Sequence, residues 1–299
     1  MSGSMDIDIG RYGIWTNTLD SHSSARGREA AQLVESLGFG ALWLPEATGR
    51  DPFVTSALLL GATARLVVAT GIANVYARDA MTMKACQLSL HEAFPNRFLL
   101  GLGVSSPVLV EKVRGHDYGK PYSYMASYLE AMDSALFNAA GPKDDPGRVL
   151  AALGPKMLAL SASATAGAHP YLTDASHTRE ARRIMGPDAL LAPEQMVVLE
   201  ADPEAARAIA RPAVGFYLRA PGYLANLKRM GFDDGDWADP RAASDRLVDA
   251  IVAWGEIDTV ADRINAHHEA GADHVCIQVL RADREIPTTE WQQLAAALL

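Results

Sequence analysis

Gly38-Phe39-Gly40-Ala41-Leu42-Trp43-Leu44-Pro45-Glu46 decides how this chain is read. The glycines end an amphipathic helical pattern over 28–37, Ala41 to Leu44 is short and wholly apolar, and Pro45 stops the run because it brings no N–H. A strand that is apolar on both faces belongs inside a parallel sheet. Ligands of such sheets bind beyond the carboxyl ends of the strands, which is where Glu46 emerges. Glu46 is therefore the first candidate for chemistry; the competing reading pairs it with a nearby arginine such as Arg50 or makes it a helix cap.

Working outward, apolar strand signals begin at Gly10, Ala41, Leu66, Arg97, Val149, Ala168, Met196 and His274. Helical spacing separates them over 25–37, 52–64, 81–93, 124–138, 155–165, 177–185, 203–217, 223–230, 242–254 and 259–270, with a terminal helix over 289–298. Eight strands interleaved with helices specify an α/β fold, a (β/α)8 TIM barrel. An open doubly wound sheet would carry Gly-x-Gly-x-x-Gly after its first strand, and that motif is missing. One domain over 1–299 is expected. The gap between the seventh and eighth strands exceeds one crossover helix, so insertion helices are expected over about 201–258, covering the active-site face or a subunit contact. The best linker candidate is Gly141 to Gly147.

A chain of 299 residues with 49% hydrophobic residues can bury a core of barrel size. The formal charge of −9 argues against nucleic acid as a partner, because phosphate backbones are bound by concentrated Lys and Arg. A small-molecule substrate is expected, and an anionic ligand would need a local basic patch. Cys86 and Cys276 lie in apolar periodic segments and read as buried small hydrophobes. Met1 to Asp8 lacks the pattern of a signal peptide and no apolar run reaches about 18 residues, so the expectation is a cytoplasmic protein without a membrane partner.

Several strand ends carry residues suited to a ligand. Gly103, Val104 and Ser105 end the fourth strand, where glycine permits close backbone approach and Ser105 can hydrogen-bond, although a simple turn explains them equally. Gly71, Ile72, Ala73 and Asn74 end the third strand, with Asn74 offering donors and acceptors or merely forming a turn. Leu153 and Gly154 precede a helix whose free N–H groups attract phosphate. Thr173 can add a hydroxyl to the same anion, whereas Asp174 to Ser176 reads best as an ordinary cap. His91 reads as structural, His267 and His268 as a solvated helix face, and His116 as a loop residue that can approach the mouth. No Cys/His set has zinc spacing, and neither a Gly-x-Ser-x-Gly elbow nor a Walker loop occurs, so no metal site is expected.

Taken together, Leu37-Gly38-Phe39, Leu42-Trp43-Leu44-Pro45-Glu46, Ala69-Thr70-Gly71-Ile72-Ala73-Asn74, Arg97-Phe98-Leu99-Leu100-Gly101-Leu102-Gly103 and Leu191-Ala192-Pro193-Glu194-Gln195 resemble the luciferase-like monooxygenase superfamily, more narrowly its branch that uses the deazaflavin coenzyme F420. The resemblance spans residues 12–280. It implies a flavin-like ring across the carboxyl ends of the strands, insertion segments that form the coenzyme cleft, and often a homodimer. It places a non-prolyl cis peptide at Gly71 to Ile72, Ala73 and Asn74 along the ring, and Gly103, Val104 and Ser105 at its pyrimidine edge. Leu153, Gly154 and Thr173 match the phosphate side, with Lys156, Arg179, Arg182, Arg183, Lys228 and Arg229 as nearby cations. Glu46 and Val104 stand where the sugar-phosphate dehydrogenases of this branch carry a catalytic histidine and a glutamate, and both departures tell against that activity. The resemblance implies an F420-dependent oxidoreductase, most simply a reductase, in which Glu46 donates a proton. An FMN-dependent two-component monooxygenase and a non-catalytic coenzyme-binding protein are the alternatives.

Overall fold

The computed structural model describes residues 7–142, 145–239 and 242–299. The linker candidate at Gly141 to Gly147 lies partly outside them, as does most of the segment from Met1 to Asp8. Along the chain run β1 (Tyr12–Trp15), α1 (Ser24–Leu37), β2 (Ala41–Leu44), α2 (Pro52–Leu60), β3 (Val67–Thr70), β4 (Ala73–Asn74), α3 (Ala80–Ala93), β5 (Phe98–Gly103) and α4 (Pro121–Ser134). There follow β6 (Arg148–Leu150), α5 (Pro155–Ala164), β7 (Gly167–Ala168), α6 (Ala175–Met185), β8 (Leu190–Leu191), β9 (Glu194–Val198), α7 (Pro203–Tyr217) and α8 (Pro221–Arg229). Then α9 (Asp245–Ile251), β10 (Val252–Trp254), α10 (Ile257–Glu269), β11 (Val275–Val279) and α11 (Thr288–Leu298) complete the order.

The opening helix forms as its sequence dictates. Ser23 accepts from the Arg26 N–H at the first turn, Ala30, Ala31 and Val34 supply the buried stripe, and Gly38 ends the helix at φ +96°, a left-handed conformation that costs glycine little. The chain then enters β2, all four of whose residues are buried. Every pairing in the sheet is parallel, in the order β10-β9-β11-β1-β2-β3-β5-β6-β7-β8, with β4 added beside β5. The chain itself joins the two flanks. Ala192 N–H donates to Ala168 O and Glu194 N–H to Pro170 O at 2.9 and 2.8 Å, so the β7 edge runs through β8 into β9, which pairs with β11. The ring thereby closes, as expected for the barrel.

Alternate residues point in and out of that ring. Trp15, Ala41, Trp43, Val67, Ala69, Leu99, Val149 and Cys276 pack together inside. Ile14, Leu42, Leu44, Val68, Leu100, Leu102 and Ile277 instead pack with helix residues such as Val34, Leu59, Met83, Ile264 and Trp291. Polar groups share the interior: Trp43 stacks on His169 with ring centroids 4.5 Å apart, and its indole N–H donates to His274 Nε2 at 3.1 Å. No helix among the described residues is long and apolar enough to cross a membrane.

Three expectations need correction. The seventh strand begins at Leu190, not Met196, and breaks at Ala192 and Pro193, because the proline has no N–H for the ladder. The pattern over 242–254 is helical only to Ile251, and Val252, Ala253 and Trp254 pair with Met196, Val197 and Val198 as an added edge strand. His267 is buried rather than solvated, since its two ring nitrogens engage Thr178 Oγ1 at 2.8 Å and Gln195 Oε1 at 2.9 Å, contacts that exist only once α10 packs against α6 and β9.

One exposed-looking carboxylate fixes the start of β3. Glu35 Oε1 accepts from the backbone N–H groups of Ala64, Arg65 and Leu66 at 2.9, 2.5 and 2.8 Å. Burial pushes the carboxyl up, but these three donors outweigh it and hold it below its ordinary value. A group depressed in this way stabilises the fold above its unfolded pKa of about 4.3, and the contribution is lost as pH falls through the lower folded value. Glu35→Ala is therefore expected to cost about 2 kcal/mol at pH 7, and the gap to wild type in urea unfolding should narrow as the pH drops below about 4. A gap independent of pH would assign the effect to packing instead.

Candidate active site

The third strand does not run straight to its end. The Gly71–Ile72 peptide is cis, and the strand resumes as Ala73 and Asn74 beside Leu102 and Gly103. Neighbouring strands hold this detour from three sides. The Trp15 indole N–H donates to Gly71 O at 2.9 Å, Thr70 Oγ1 exchanges hydrogen bonds of 2.8 and 2.9 Å with Gly101, and Glu46 N–H donates to Ile72 O at 3.2 Å. A Cβ at 103 would stand 2.4 Å from Ile72 Cγ1 and Cδ1, so any larger residue there would have to displace the Ile72 side chain. Asn74 is fully buried; its Oδ1 accepts from Tyr76 N–H at 2.9 Å while Nδ2 has no partner. After β5, Val104 and Ser105 are half-buried, Ser105 takes φ +57°, and its carbonyl accepts from the Tyr118 hydroxyl at 3.2 Å.

Glu46 lies beside the bulge, but its carboxylate is committed. Arg78 grips it with two bonds, Nη1 to Oε2 at 2.8 Å and Nη2 to Oε1 at 2.6 Å, and the Asn74 N–H adds a third at 2.7 Å. Arg114 stands 3.8 Å away, and the Glu46 side chain is only 6% exposed. Arg50, the partner considered from sequence, instead serves the carbonyls of Leu19 and His22. Arg78 was missed because it follows a strand end and turn that no local pattern ties to Glu46.

On the other side of the ring, His177 links Leu153, whose carbonyl it bonds, to Asp174, the neighbour of Thr173. Gly154 is the N-cap of α5 and supplies no side chain, while Arg229 from the last turn of α8 reaches over it, its Nη2 being 3.3 Å from where a Cβ would stand. Arg229 bonds Asn226 Oδ1 at 3.0 Å and has no ion pair among the described residues. Thr173 is 1% exposed and its hydroxyl has no partner. His177 donates from Nε2 to Leu153 O at 2.9 Å, leaving Nδ1 buried and unpartnered. Asp174 caps α6 by accepting from His177 N–H at 2.9 Å. Of the cations named from sequence, Arg182 binds Gly271, Gly186, Ala189 and Asp273, Arg183 binds Glu180, and Lys228 binds Asp234, which leaves them occupied. His116 is exposed in its loop.

Between these two sides stand groups that sequence reading did not single out. Tyr171 donates to Gln278 Oε1 at 2.7 Å and receives the Tyr217 hydroxyl at 2.9 Å. Glu194, quoted within a motif but given no role, is 1% exposed; Oε1 has no partner and Oε2 receives only a long 3.4 Å bond from Leu172 N–H. Burial pushes its carboxyl up to about 8, so it is mostly neutral at pH 7. His169 bonds Ala192 O through Nδ1 at 2.8 Å, which leaves Nε2 as an unpartnered lone pair beside Gly71, and burial lowers this imidazole to about 4. One face of the barrel thus presents orphaned polar atoms on Asn74, Thr173, His169, His177 and Glu194.

Comparison with known proteins gives these features a family. The family model of the luciferase-like monooxygenases matches residues 11–274. A Mycobacterium tuberculosis protein provisionally named a coenzyme F420-dependent oxidoreductase is 24% identical over 86% of this chain and 91% of its own. Among solved structures, an F420-dependent secondary alcohol dehydrogenase in complex with an F420-acetone adduct superposes with a TM-score of 0.78 at 14% identity, over 98% of this chain and 100% of that one. The oxygenating constituent of 3,6-diketocamphane monooxygenase from Pseudomonas putida, in complex with FMN, gives 0.67 at 15% identity over 96% of each chain. At these identities the structures speak for the fold, and the match to the family model over most of the sequence makes the chain a member of the luciferase-like monooxygenase family of oxidoreductases.

Proposed function

We propose that this chain is a coenzyme F420-dependent oxidoreductase that exchanges hydride with a small organic substrate, acting as a reductase. The observation that carries the reading is the pairing of two unfilled polar sites across one barrel face. On one side the cis bulge presents the unpartnered Asn74 Nδ2; on the other, the buried Thr173 hydroxyl is unpartnered and Arg229 lies over Gly154 at the N-terminus of α5. A flat polar ring joined to an anionic tail would satisfy both, and the relatives named above include proteins that use F420. When bound, the deazaflavin supplies hydride chemistry at a ring carbon.

The chain's own residues then have separable duties. Gly71, Ile72, Ala73 and Asn74 form the surface against which the ring is held, with Gly103, Val104 and Ser105 at its edge. Leu153, Gly154, Thr173 and Arg229 take the phosphate, using helix N–H groups, a hydroxyl and a cation. Glu46 serves as an anchor of the bulge, its carboxylate locked between Arg78 and the Asn74 N–H. The proton-holding carboxyl of the site is Glu194, neutral at pH 7 beneath Tyr171. A second reading, FMN with the same ring and phosphate contacts, draws on the FMN-bound relative.

Fluorescence titration separates the two: F420 is expected to bind more tightly than FMN, and the reverse order would transfer the proposal to a two-component monooxygenase. Thr173→Val keeps the shape and removes the hydroxyl, so F420 affinity should fall about 10-fold, as for the loss of a bond to a charged group. Unchanged affinity would place the phosphate elsewhere. Glu46→Ala leaves the buried Arg78 with only the more exposed Asp51 and should lower the unfolding free energy by about 2–3 kcal/mol, with Glu46→Ala/Arg78→Met recovering part of the loss in a double-mutant cycle. Full stability of the single variant would return Glu46 to a purely chemical role.

A further inference from the structure

Four rings lead outward from the bulge in continuous contact. Trp15, hydrogen-bonded to Gly71 O, has its ring centroid 5.3 Å from that of Tyr171. Tyr171 is 4.9 Å from Tyr217 and 6.3 Å from Tyr223, and Tyr217 is 5.0 Å from Tyr223. Trp15 and Tyr171 are buried, whereas Tyr217 and Tyr223, carried by the insertion helices α7 and α8, are half-buried and form the outer part of this wall. The Tyr217 and Tyr171 hydroxyls form a chain that ends on Gln278, while the Tyr223 hydroxyl has no hydrogen bond among the described residues.

The charges around this wall are as informative as its rings. Arg78 is neutralised by Glu46 and Asp51, Arg114 faces Glu46 and donates to Ala47 O, and Arg50 is spent on backbone carbonyls. Arg229 lies over Gly154, on the phosphate side. Among the described residues no Lys or Arg is hydrogen-bonded to Tyr171, Tyr217 or Tyr223 or stacked on their rings, and burial keeps the neighbouring Glu194 mostly neutral at pH 7. A carboxylate or phosphate stacked there would lose hydration with no cation already held against the rings, whereas a neutral π-system would stack and a carbonyl oxygen would find the free Tyr223 hydroxyl as donor.

We infer that the substrate of this mouth is an uncharged planar carbonyl compound, an aryl ketone, aryl aldehyde or conjugated enone, that stacks on Tyr217 and Tyr223 with its oxygen turned to the free Tyr223 hydroxyl. The inference rests on reading the barrel mouth as the substrate site of an oxidoreductase. Raised hydroxyl pKa values at all three tyrosines, caused chiefly by burial, agree with phenols that stay protonated as donors.

Equilibrium dialysis of the full chain with 2-acetylnaphthalene and with 2-naphthoate, which share a ring system and differ in charge, tests it directly, with and without saturating F420. The ketone is expected to bind at least 10-fold more tightly. Tyr217→Leu, which removes a stacking ring but keeps apolar volume, and Tyr223→Phe, which removes only the free hydroxyl, should each weaken ketone binding about 5-fold while leaving F420 affinity and thermal stability near wild type. Equal or tighter binding of naphthoate overturns the inference, as does a ketone affinity unchanged in both variants. Ketone binding that follows the tyrosines in a chain that fails to bind F420 would support this site and remove only the deazaflavin reading.

Discussion

Glu46 holds both sides of the detour on which the site is built. Its backbone N–H donates to Ile72 O, and its carboxylate accepts from the N–H of Asn74, so a single residue at the end of β2 pins the residues that follow the cis peptide. Arg78 makes the arrangement rigid, because its bidentate grip prevents the carboxylate from turning away. The Trp15 indole adds a hydrogen bond to Gly71 O, and the Ile72 side chain packs against the bare Cα of Gly103. The position of Asn74, with its unpartnered Nδ2, is a consequence of this clamp.

Two carboxyl groups of the same barrel face illustrate how environment divides labour. Glu46 has two arginines and an N–H around it and stays an anchor; Glu194 has one long bond and apolar or phenolic surroundings and keeps its proton. Their separation in role comes from which strand end each one tops. The end of β2 looks toward the arginine-bearing turn after β4, whereas Glu194 opens β9, inside the ring and under the insertion.

That insertion completes the face. Arg207 and Arg211 of α7 pair with Asp249 and Asp245 of α9, and β10 adds to the β9 edge, which fixes α7 and α8 over the barrel. Tyr217, Tyr223 and Arg229 reach the mouth from that platform. Two tyrosines and an arginine over Gly154 therefore come from one segment, and the cis bulge at Gly71 comes from the strands. The insertion residues are separate from the hydrogen bonds that hold Gly71 and Ile72, which come from Trp15 and Glu46.

The sequence by itself determined the barrel, because alternating apolar strands and amphipathic helices are local patterns with fixed periods. It also determined the positions at which the chain would leave the strands, since Pro45, Gly71, Gly103 and Gly154 mark such ends whatever surrounds them. Only the tertiary structure decided what the groups at those ends do. Arg78 meets Glu46 from 32 residues away, and Arg229 covers Gly154 across the ring. His267 is buried because α10 packs it against Thr178 and Gln195. Glu194 looks like any strand carboxylate in one dimension, and becomes an acid because the closed ring removes water and supplies no cation. Propensity and period act over neighbouring residues, whereas desolvation and charge pairing depend on which distant residues the fold brings together.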